Sequence, residues 1–279
     1  MSVVELLQFP FVQYALIVSI LMAVCAAFIG VPLVLKRYSF MGFGLSNVAF
    51  MGMSLAIVID LTNSLLLVMP LTIIATILLI GFGNKFKRIS GDSSLAMLTV
   101  GALAIGHFAI NTFSMRGNIT ADISDTLFGG MRLLTLQRAD VWLSVGITAA
   151  VIVFFVFFYQ RIFAVTFDVD FMQATGQRPI VCELLLSVIT GVVIAMAMNF
   201  LGSLLTASLI IFPALSAMRL FKTYKSVIIS TAVIGAVCSL LGILVAILIE
   251  LPVTTTIILM NIVLFMLLSV TNLFRKWLA

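Results

Sequence analysis

Apolar stretches of about 20 residues, separated by short polar segments, repeat along the whole chain. A helix of about 20 residues spans a hydrocarbon core about 30 Å thick, and helices satisfy their own backbone hydrogen bonds there. The pattern predicts an all-α, polytopic transmembrane bundle of eight to nine spans, forming one domain over residues 1–279. The expected spans are residues 11–35, 41–60, 64–84, 93–115, 139–159, 180–199, 203–218, 226–249 and 252–273.

The seventh expected span, residues 203–218, is the shortest and contains Pro213. A broken or re-entrant element is therefore left open, and with it a count of eight spans. Just before the proline, a small and polar run is formed by Gly202, Ser203, Thr206 and Ser208. Small residues favour close helix packing. The alternative is that the proline frees backbone carbonyls, which line a pathway together with these hydroxyls.

Composition and charge support a membrane protein and indicate its orientation. The chain of 279 residues is 63% hydrophobic and 9% charged, whereas soluble domains carry about 25% charged residues. All 15 basic residues except Arg116, Arg132 and Arg138 fall on one side of the predicted bundle. The positive-inside rule then predicts an outer N-terminus and a cytoplasmic C-terminus. This topology explains the net charge of +5, so the charge requires no nucleic-acid partner, and the apolar composition predicts membrane lipid as the surroundings.

A longer inner connection, residues 161–179, reads RIFAVTFDVDFMQATGQRP. Residues 168–175 are predicted to form a short amphipathic helix at the cytoplasmic surface, ended by a glycine cap. Two interpretations stay open: an ordinary interfacial helix, or a helix docked into a partner protein. The segment combines acids, apolar rings and small residues: Phe167, Asp168, Asp170, Phe171, Ala174 and Gly176.

Polar residues inside the predicted spans are few. The second span opens with MGFGLSNVAF, which contains Ser46 and Asn47. The single histidine, His107, lies in the fourth span, with Asn111 one turn further on. A lone histidine in a span more often hydrogen-bonds within the bundle, although ionisable groups in membranes are functional candidates. Three scattered cysteines show no CxxC spacing, so no bound cofactor is expected from this chain.

Five motifs together resemble the zinc/manganese-type metal permeases of bacterial ABC transporters. They are LKRYSFMGFGLSNVAF, GDSSLAMLTVGALAIG, LFGG, FDVDFMQATG and LGSLLTASLIIFPALSAMRLFK. They occur in the same order and at similar spacing, covering nearly the whole chain. Each motif alone is weak, and the series of five is specific.

The resemblance implies a homodimeric permease of the bacterial cytoplasmic membrane that imports zinc or manganese by ATP-driven alternating access. It also implies two cytoplasmic ATPase subunits and an extracytoplasmic metal-binding protein as partners, with FDVDFMQATG as the ATPase coupling segment. The chain has no GxxxxGK[ST] phosphate-binding loop, so ATP hydrolysis is expected in another chain. This chain is then a transport subunit rather than an enzyme.

The sequence departs from the family pattern at the expected metal ligands. The family reads close to MGDGLSHV, with an aspartate and a histidine one turn apart on one helix face. Here Phe43 and Asn47 occupy those two positions. Three explanations stay open: a low-affinity polar pathway that leaves selectivity to the binding protein, a changed substrate such as another ion or a small chelate, or impaired transport. The candidate pathway residues are Ser46, Asn47, His107, Asn111, Thr206 and Ser208.

A different class of protein is also considered. The tripeptide Gly44-Leu45-Ser46 resembles the G-x-S of intramembrane serine proteases, and His107 on another span is its candidate base. That chemistry requires the serine and histidine within hydrogen-bond reach in a water-accessible cavity. A signalling or scaffold membrane protein is a third possibility, which predicts no stable association with an ATPase.

Overall fold

The structure is a computed structural model that describes residues 9–61, 63–83, 91–113, 129, 133, 135–176 and 178–278. Across these ranges the chain is helical, without a strand. The helices are α1 (Pro10–Leu35), α2 (Met41–Val58), α3 (Leu65–Gly83), α4 (Gly91–Phe113), α5 (Arg138–Phe157), α6 (Tyr159–Phe167), α7 (Val169–Ala174), α8 (Pro179–Leu201), α9 (Ser203–Leu220), α10 (Tyr224–Ile249) and α11 (Val253–Leu278).

The prediction of a polytopic helical bundle is confirmed. Eight helices of the described part are long and apolar enough to cross a membrane. They are α1, α2, α4, α5, α8, α9, α10 and α11. Helix α3, Leu65–Gly83, contains a further apolar stretch, Leu65–Ile80, within the described residues.

The seventh span is an intact helix rather than a broken element. Helix α9 runs from Ser203 to Leu220 and continues through Pro213. The discontinuity lies one residue before this helix, at Gly202, whose φ of 84° and ψ of 167° are accessible essentially only to glycine. This single residue ends α8 and starts α9, so no loop separates the two helices. Proline inside a span is tolerated because neighbouring groups satisfy the freed carbonyl.

Helix α2 lies at the centre of the bundle. It packs against α3, α4, α8 and α9, and most of its side chains are buried. Helix α1 packs against α5, α9 and α10, while α11 packs against α9 and α10. Outer helices instead expose large apolar side chains, including Trp142 and Phe157 of α5 and Met266 of α11, at 71%, 82% and 61%. Such an apolar exterior is suited to lipid rather than to water.

Glycines allow several helix pairs to approach closely. Gly30 of α1 lies against the backbone of Ile210 in α9. A Cβ atom at Gly191 of α8 would lie 2.9 Å from the Cα atom of Ile73 in α3. Apolar area alone does not hold helices together in lipid, so close packing at small residues carries much of their association. These contacts set how closely α1 approaches α9 and how closely α8 approaches α3, the helices that surround α2.

Candidate translocation pathway and coupling segment

One face of α2 carries most of the chemistry of the second span. Phe43, Asn47, Phe50 and Ser54 follow one another at spacings of three and four residues, so they share a helix face. Asn47, Phe50 and Ser54 are buried, whereas Phe43 at the start of the helix is partly exposed. The hydroxyl of Ser54 donates to the carbonyl of Phe50 at 2.9 Å. Of the two buried polar side chains on this face, Ser54 bonds to its own helix and Asn47 does not.

Asn47 is the least satisfied polar side chain of this face. It is 0% exposed, and neither its amide nitrogen nor its amide oxygen has a hydrogen-bond partner within the described protein. Leaving a buried amide unpaired costs on the order of 1–3 kcal/mol, and such groups are rare in native proteins. Its neighbours along the face are the rings of Phe43 and Phe50. An amide held without a protein partner is a candidate to meet a passing polar species.

Phe43 borders an apolar cavity between α2, α9 and α11. The cavity has a volume of about 570 Å³ and is lined by Phe43, Ile211, Phe212 and Leu259 among others. Ser208 also lines it, and its hydroxyl oxygen has no hydrogen-bond partner in the described part. Among the described residues, no charged side chain lines this cavity. The position where the resemblance expects an aspartate thus faces hydrocarbon, which cannot replace the hydration of a divalent ion.

Two other candidate pathway hydroxyls are bonded to their own helices. Ser46 donates to the carbonyl of Phe43 at 2.9 Å, and Thr206 donates to the carbonyl of Gly202 at 2.7 Å. Serine and threonine commonly make such bonds within helices. Each hydroxyl oxygen still has acceptor capacity. Both hydroxyl hydrogens are thus already used in hydrogen bonds, and only the oxygens can accept a further bond inside the bundle.

The structure brings His107 to this region but not Asn111. The ring centroid of His107 in α4 lies 5.3 Å from that of Phe50, one turn along α2 from Asn47. His107 is partly buried, whereas Asn111 is exposed at the surface of the bundle. Within the described residues, no group of three or more histidine, cysteine, aspartate or glutamate side chains could hold a metal ion. The interior therefore offers neutral donors rather than a multidentate metal site.

A polar cavity at the other end of α2 is a feature that the sequence interpretation missed. It has a volume of about 470 Å³ and is lined by Asn63, Ser64, Gln137, Asp140 and Asn199 among others. Gln137 and Asp140 form a reciprocal capping box at the start of α5, with the Gln137 N–H donating to Asp140 Oδ2 at 2.9 Å. The sequence does show polar residues just before α3, at Asn63 and Ser64, and at the start of α5, at Gln137 and Asp140. Their convergence depends on α3, α5 and α8 meeting in space.

The predicted short helix of the inner connection is present as α7. The side chain of Asp168 caps it by accepting a hydrogen bond from the Phe171 N–H at 2.9 Å. After the helix, Gly176 has a φ of 77°, the left-handed conformation expected of a glycine cap. Met172 is 1% exposed and anchors the helix inward. The predicted helix over residues 168–175 is thereby confirmed, with α7 proper covering Val169–Ala174.

The outward side of this segment is both apolar and acidic. Phe167 and Phe171 are 56% and 63% exposed, and Asp168, Asp170 and Ala174 lie beside them at the surface. Two exposed rings and two carboxylates thus share one compact surface. We call the surface formed by these five residues the coupling knob.

Nearly the whole chain matches proteins of one transport family. The sequence profile of the ABC 3 transport family matches residues 8–272. A manganese transport system membrane protein of Halalkalibacterium halodurans is 27% identical over 239 residues, covering 86% of this chain and 80% of that protein. A high-affinity zinc uptake system membrane protein of Haemophilus influenzae is 25% identical, covering 82% and 84%.

A solved structure has the same fold. PsaBC from Streptococcus pneumoniae, determined in complex with a Fab, superposes with a TM-score of 0.83 at 24% sequence identity. The superposition covers 95% of this chain and 94% of the matched chain. At this identity the likeness establishes the fold of the bundle, including the order of its helices.

The alternatives raised by the sequence gain no support from these findings. The Ser46 hydroxyl is bonded to the Phe43 carbonyl, and the His107 ring packs on Phe50, so no described contact joins them as a nucleophile and base. The relatives named above are transport proteins for manganese or zinc. Neither a serine hydrolase nor a changed substrate is favoured by a specific observation.

Proposed function

The chain belongs to the ABC 3 transport family, and on that premise we propose that it is the permease subunit of a bacterial importer for a divalent transition metal, manganese or zinc. The observation that carries the proposal is the central helix α2, whose buried Asn47 amide has no protein partner among the described residues of a bundle with this fold. A protein that only packs its helices gains nothing from keeping an unpaired amide at its centre. In a permease, such a group can serve as a transient donor or acceptor for a passing ion.

The residues on the pathway favour weak and transient contact with the ion. Asn47 and Ser208 offer neutral oxygens, and His107 offers an imidazole near Phe50. Neutral oxygen ligands bind divalent ions weakly without a carboxylate to offset dehydration. Weak contact suits rapid passage, since an ion that binds tightly leaves slowly. Selectivity is then assigned to the extracytoplasmic metal-binding protein that delivers the ion.

Alternating access requires that the pathway close at one end while it opens at the other. The rings of Phe43 and Phe50, on either side of Asn47, are suited to closing it, since an apolar constriction excludes hydrated ions. The polar cavity at the far end of α2 is assigned to the outer entrance, in agreement with an outer N-terminus and a cytoplasmic C-terminus. The transported metal is the substrate, and this chain is expected to bind no resident cofactor.

Energy for the cycle is assigned to a separate ATPase that docks on the coupling knob. Two ATPase subunits act on two copies of the permease, so the working unit is a homodimer in the cytoplasmic membrane. The capped helix α7 suits this role because Asp168 and Gly176 fix its two ends while Met172 fixes its inner face. A rigid element transmits displacement, whereas a flexible loop absorbs it.

Truncating one ring of the coupling knob is expected to weaken ATPase binding. Phe171→Ala removes an exposed ring, which at an interface centre is worth about 2 kcal/mol or roughly a 30-fold rise in Kd. The dissociation constant between permease and ATPase in detergent measures the change. The matched control is Phe157→Ala, which removes an 82% exposed ring from the lipid-facing surface of α5. Equal affinities for the two variants would contradict docking at α7.

Uptake by the reconstituted system tests the proposed function directly. The permease, its ATPase and its binding protein are placed in lipid vesicles, and ATP-dependent accumulation of manganese and of zinc is measured. We expect accumulation of at least one of the two ions that requires all three components. Omitting the ATPase is the control, because passive leakage continues without it. Failure of both ions to accumulate, in vesicles that hydrolyse ATP when the binding protein is added, would contradict a divalent-metal substrate.

A further inference from the structure

An ion pair joins the end of α1 to the start of α8. The Nζ atom of Lys36 donates a hydrogen bond to Oε1 of Glu183 at 2.8 Å. The two side chains are 11% and 13% exposed, so the pair is largely withdrawn from solvent. Much of the attraction in such a pair is offset by the cost of removing both charges from water. Its value therefore lies more in fixing geometry than in adding stability.

On one side, the pair is attached to the coupling knob. Helix α7 ends at Ala174 and contacts both α6 and α8, and α8 begins at Pro179. Proline at the first helical position restricts the backbone where the connection enters α8. Glu183 lies four residues further on, about one turn into the helix. A displacement of α7 thus reaches the turn of α8 that carries Glu183 before it reaches the bundle centre.

On the other side, the pair is attached to α2. Lys36 stands five residues before Met41, where α2 begins. The Tyr38 N–H donates to the carbonyl of Leu33 at 2.8 Å, and the Met41 N–H donates to the carbonyl of Tyr38 at 2.9 Å. Burial, and then the negative charge of Glu183, raise the pKa of the Tyr38 hydroxyl. The Tyr38 side chain therefore lies close to the ion pair. The connection is short and tied at both ends, so Lys36 moves with the start of α2.

We propose that Lys36 and Glu183 are positioning residues that couple α8 to α2, so that movement driven at the coupling knob reaches the pathway helix. The inference rests on the proposed function for the source of that movement, an ATPase at α7. Helix α8 also touches α1 and α2 directly, and the ion pair adds to these contacts a charge-assisted hydrogen bond of fixed geometry. Breaking the pair is then expected to leave the rate of ATP hydrolysis unchanged. A smaller fraction of the hydrolysis events then moves α2.

A charge exchange tests the proposal in the complete complex in vesicles. The variants are Glu183→Lys, Lys36→Glu and the two together, and the measured quantity is ATP hydrolysed per manganese or zinc ion accumulated. Each single variant is expected to raise this ratio about fivefold or more, a typical coupling factor, and the double variant to return within about twofold of wild type. Lys222→Glu reverses an exposed charge in the α9–α10 connection and is the matched control.

A second readout does not depend on the ion. In a chain with Cys182→Ala, a cysteine introduced by Phe40→Cys at the 47% exposed start of α2 is labelled with a water-soluble maleimide, with and without ATP and vanadate. With the native pair, the labelling rate is expected to change when ATP and vanadate are added. The single variants are expected to lose this change, and the exchanged pair is expected to recover it. This result stands even if neither metal is carried, so it separates failure of the inference from failure of the proposed function.

The outcomes that overturn the inference are equally defined. Single variants that keep the wild-type ratio and the wild-type labelling response would show that the pair transmits nothing. An exchanged variant that assembles with the ATPase but recovers neither response would also reject it. Where a single variant fails to assemble on gel filtration, the exchanged variant decides: recovery of both responses supports the pair, and their absence rejects it.

Discussion

Replacing Phe43 by aspartate together with Asn47 by histidine is expected to create a divalent-metal site in a part of the bundle where the described residues form none. The two positions lie one turn apart on the central face of α2, so a carboxylate and an imidazole there converge on one ion. Phe43 borders a cavity of about 570 Å³, which leaves room for the ion and its remaining water ligands. A carboxylate facing this apolar cavity is destabilising until the metal binds and offsets its charge.

Thermal unfolding in detergent measures this effect directly. Metal at about 100 times its dissociation constant stabilises a protein by about 2.7 kcal/mol, which for a chain of this size raises Tm by about 5 °C or more. The wild type is expected to show no comparable shift at the same zinc or manganese concentration. The matched control is Phe43→Asn with Asn47→His, which keeps the shape of the new side chains but removes the negative charge.

Transport gives the second half of the same prediction. Uptake at low external metal is expected to rise about tenfold in the double variant, equivalent to about 1.4 kcal/mol of added affinity in the pathway. At saturating metal the expected gain disappears, because an ion held more tightly leaves more slowly. A wild-type chain that already matches the double variant in both binding and uptake would disprove the idea that the missing ligands weaken the pathway.

Replacing Gly30 by valine is expected to cause a large loss of stability. Ile210 of α9 lies between two glycines, with its backbone against Gly30 of α1 and its side chain against Gly42 of α2. A Cβ atom at Gly30 would collide with the Ile210 carbonyl oxygen and lie 3.2 Å from the carbonyl carbon. Backbone atoms cannot move aside as a flexible side chain does, so α1 and α9 must separate.

The expected cost is about 3 kcal/mol or a fall in Tm of about 10 °C, the upper part of the range for overpacking. Gly146→Val is the control, because a Cβ atom added at Gly146 on the exposed surface of α5 would meet no atom of the described residues within 4 Å. We expect it to change Tm by only a degree or two, since an exposed substitution costs little. Equal Tm values for the two variants would show that the α1–α9 approach is not a determinant of the fold.

Much of the architecture followed from hydropathy alone. The sixth predicted span, residues 180–199, corresponds to α8 from Pro179 to Leu201, and the short helix of the inner connection was expected almost to the residue. Membrane spans are predictable because unsatisfied backbone groups are excluded from hydrocarbon, which leaves few alternatives to a helix. The cap of α7 was equally local, since Asp168 and Gly176 act within one turn of it.

The candidate site was predictable only in part. The polar residues Asn47 and His107 were found because they are unusual in apolar spans, but their neighbours were not. Nothing local to Phe43 indicates that it borders a cavity with Ser208, and Asn111, one turn from His107, proved to be exposed. The residues lining the polar cavity beside Asp140 come from separate parts of the chain.

The order of amino acids was enough to place the spans, the inner short helix and the chain's membership of a transport family. The folded arrangement was needed to show which helix faces meet, that Asn47 is buried without a partner among the described residues, and that Lys36 pairs with Glu183 across 147 residues. The physical reason is that these helices are apolar on almost every side. In water, a polar face marks the outside of a helix, but in lipid both the inside and the outside are apolar, so helix contacts depend on small residues and shape.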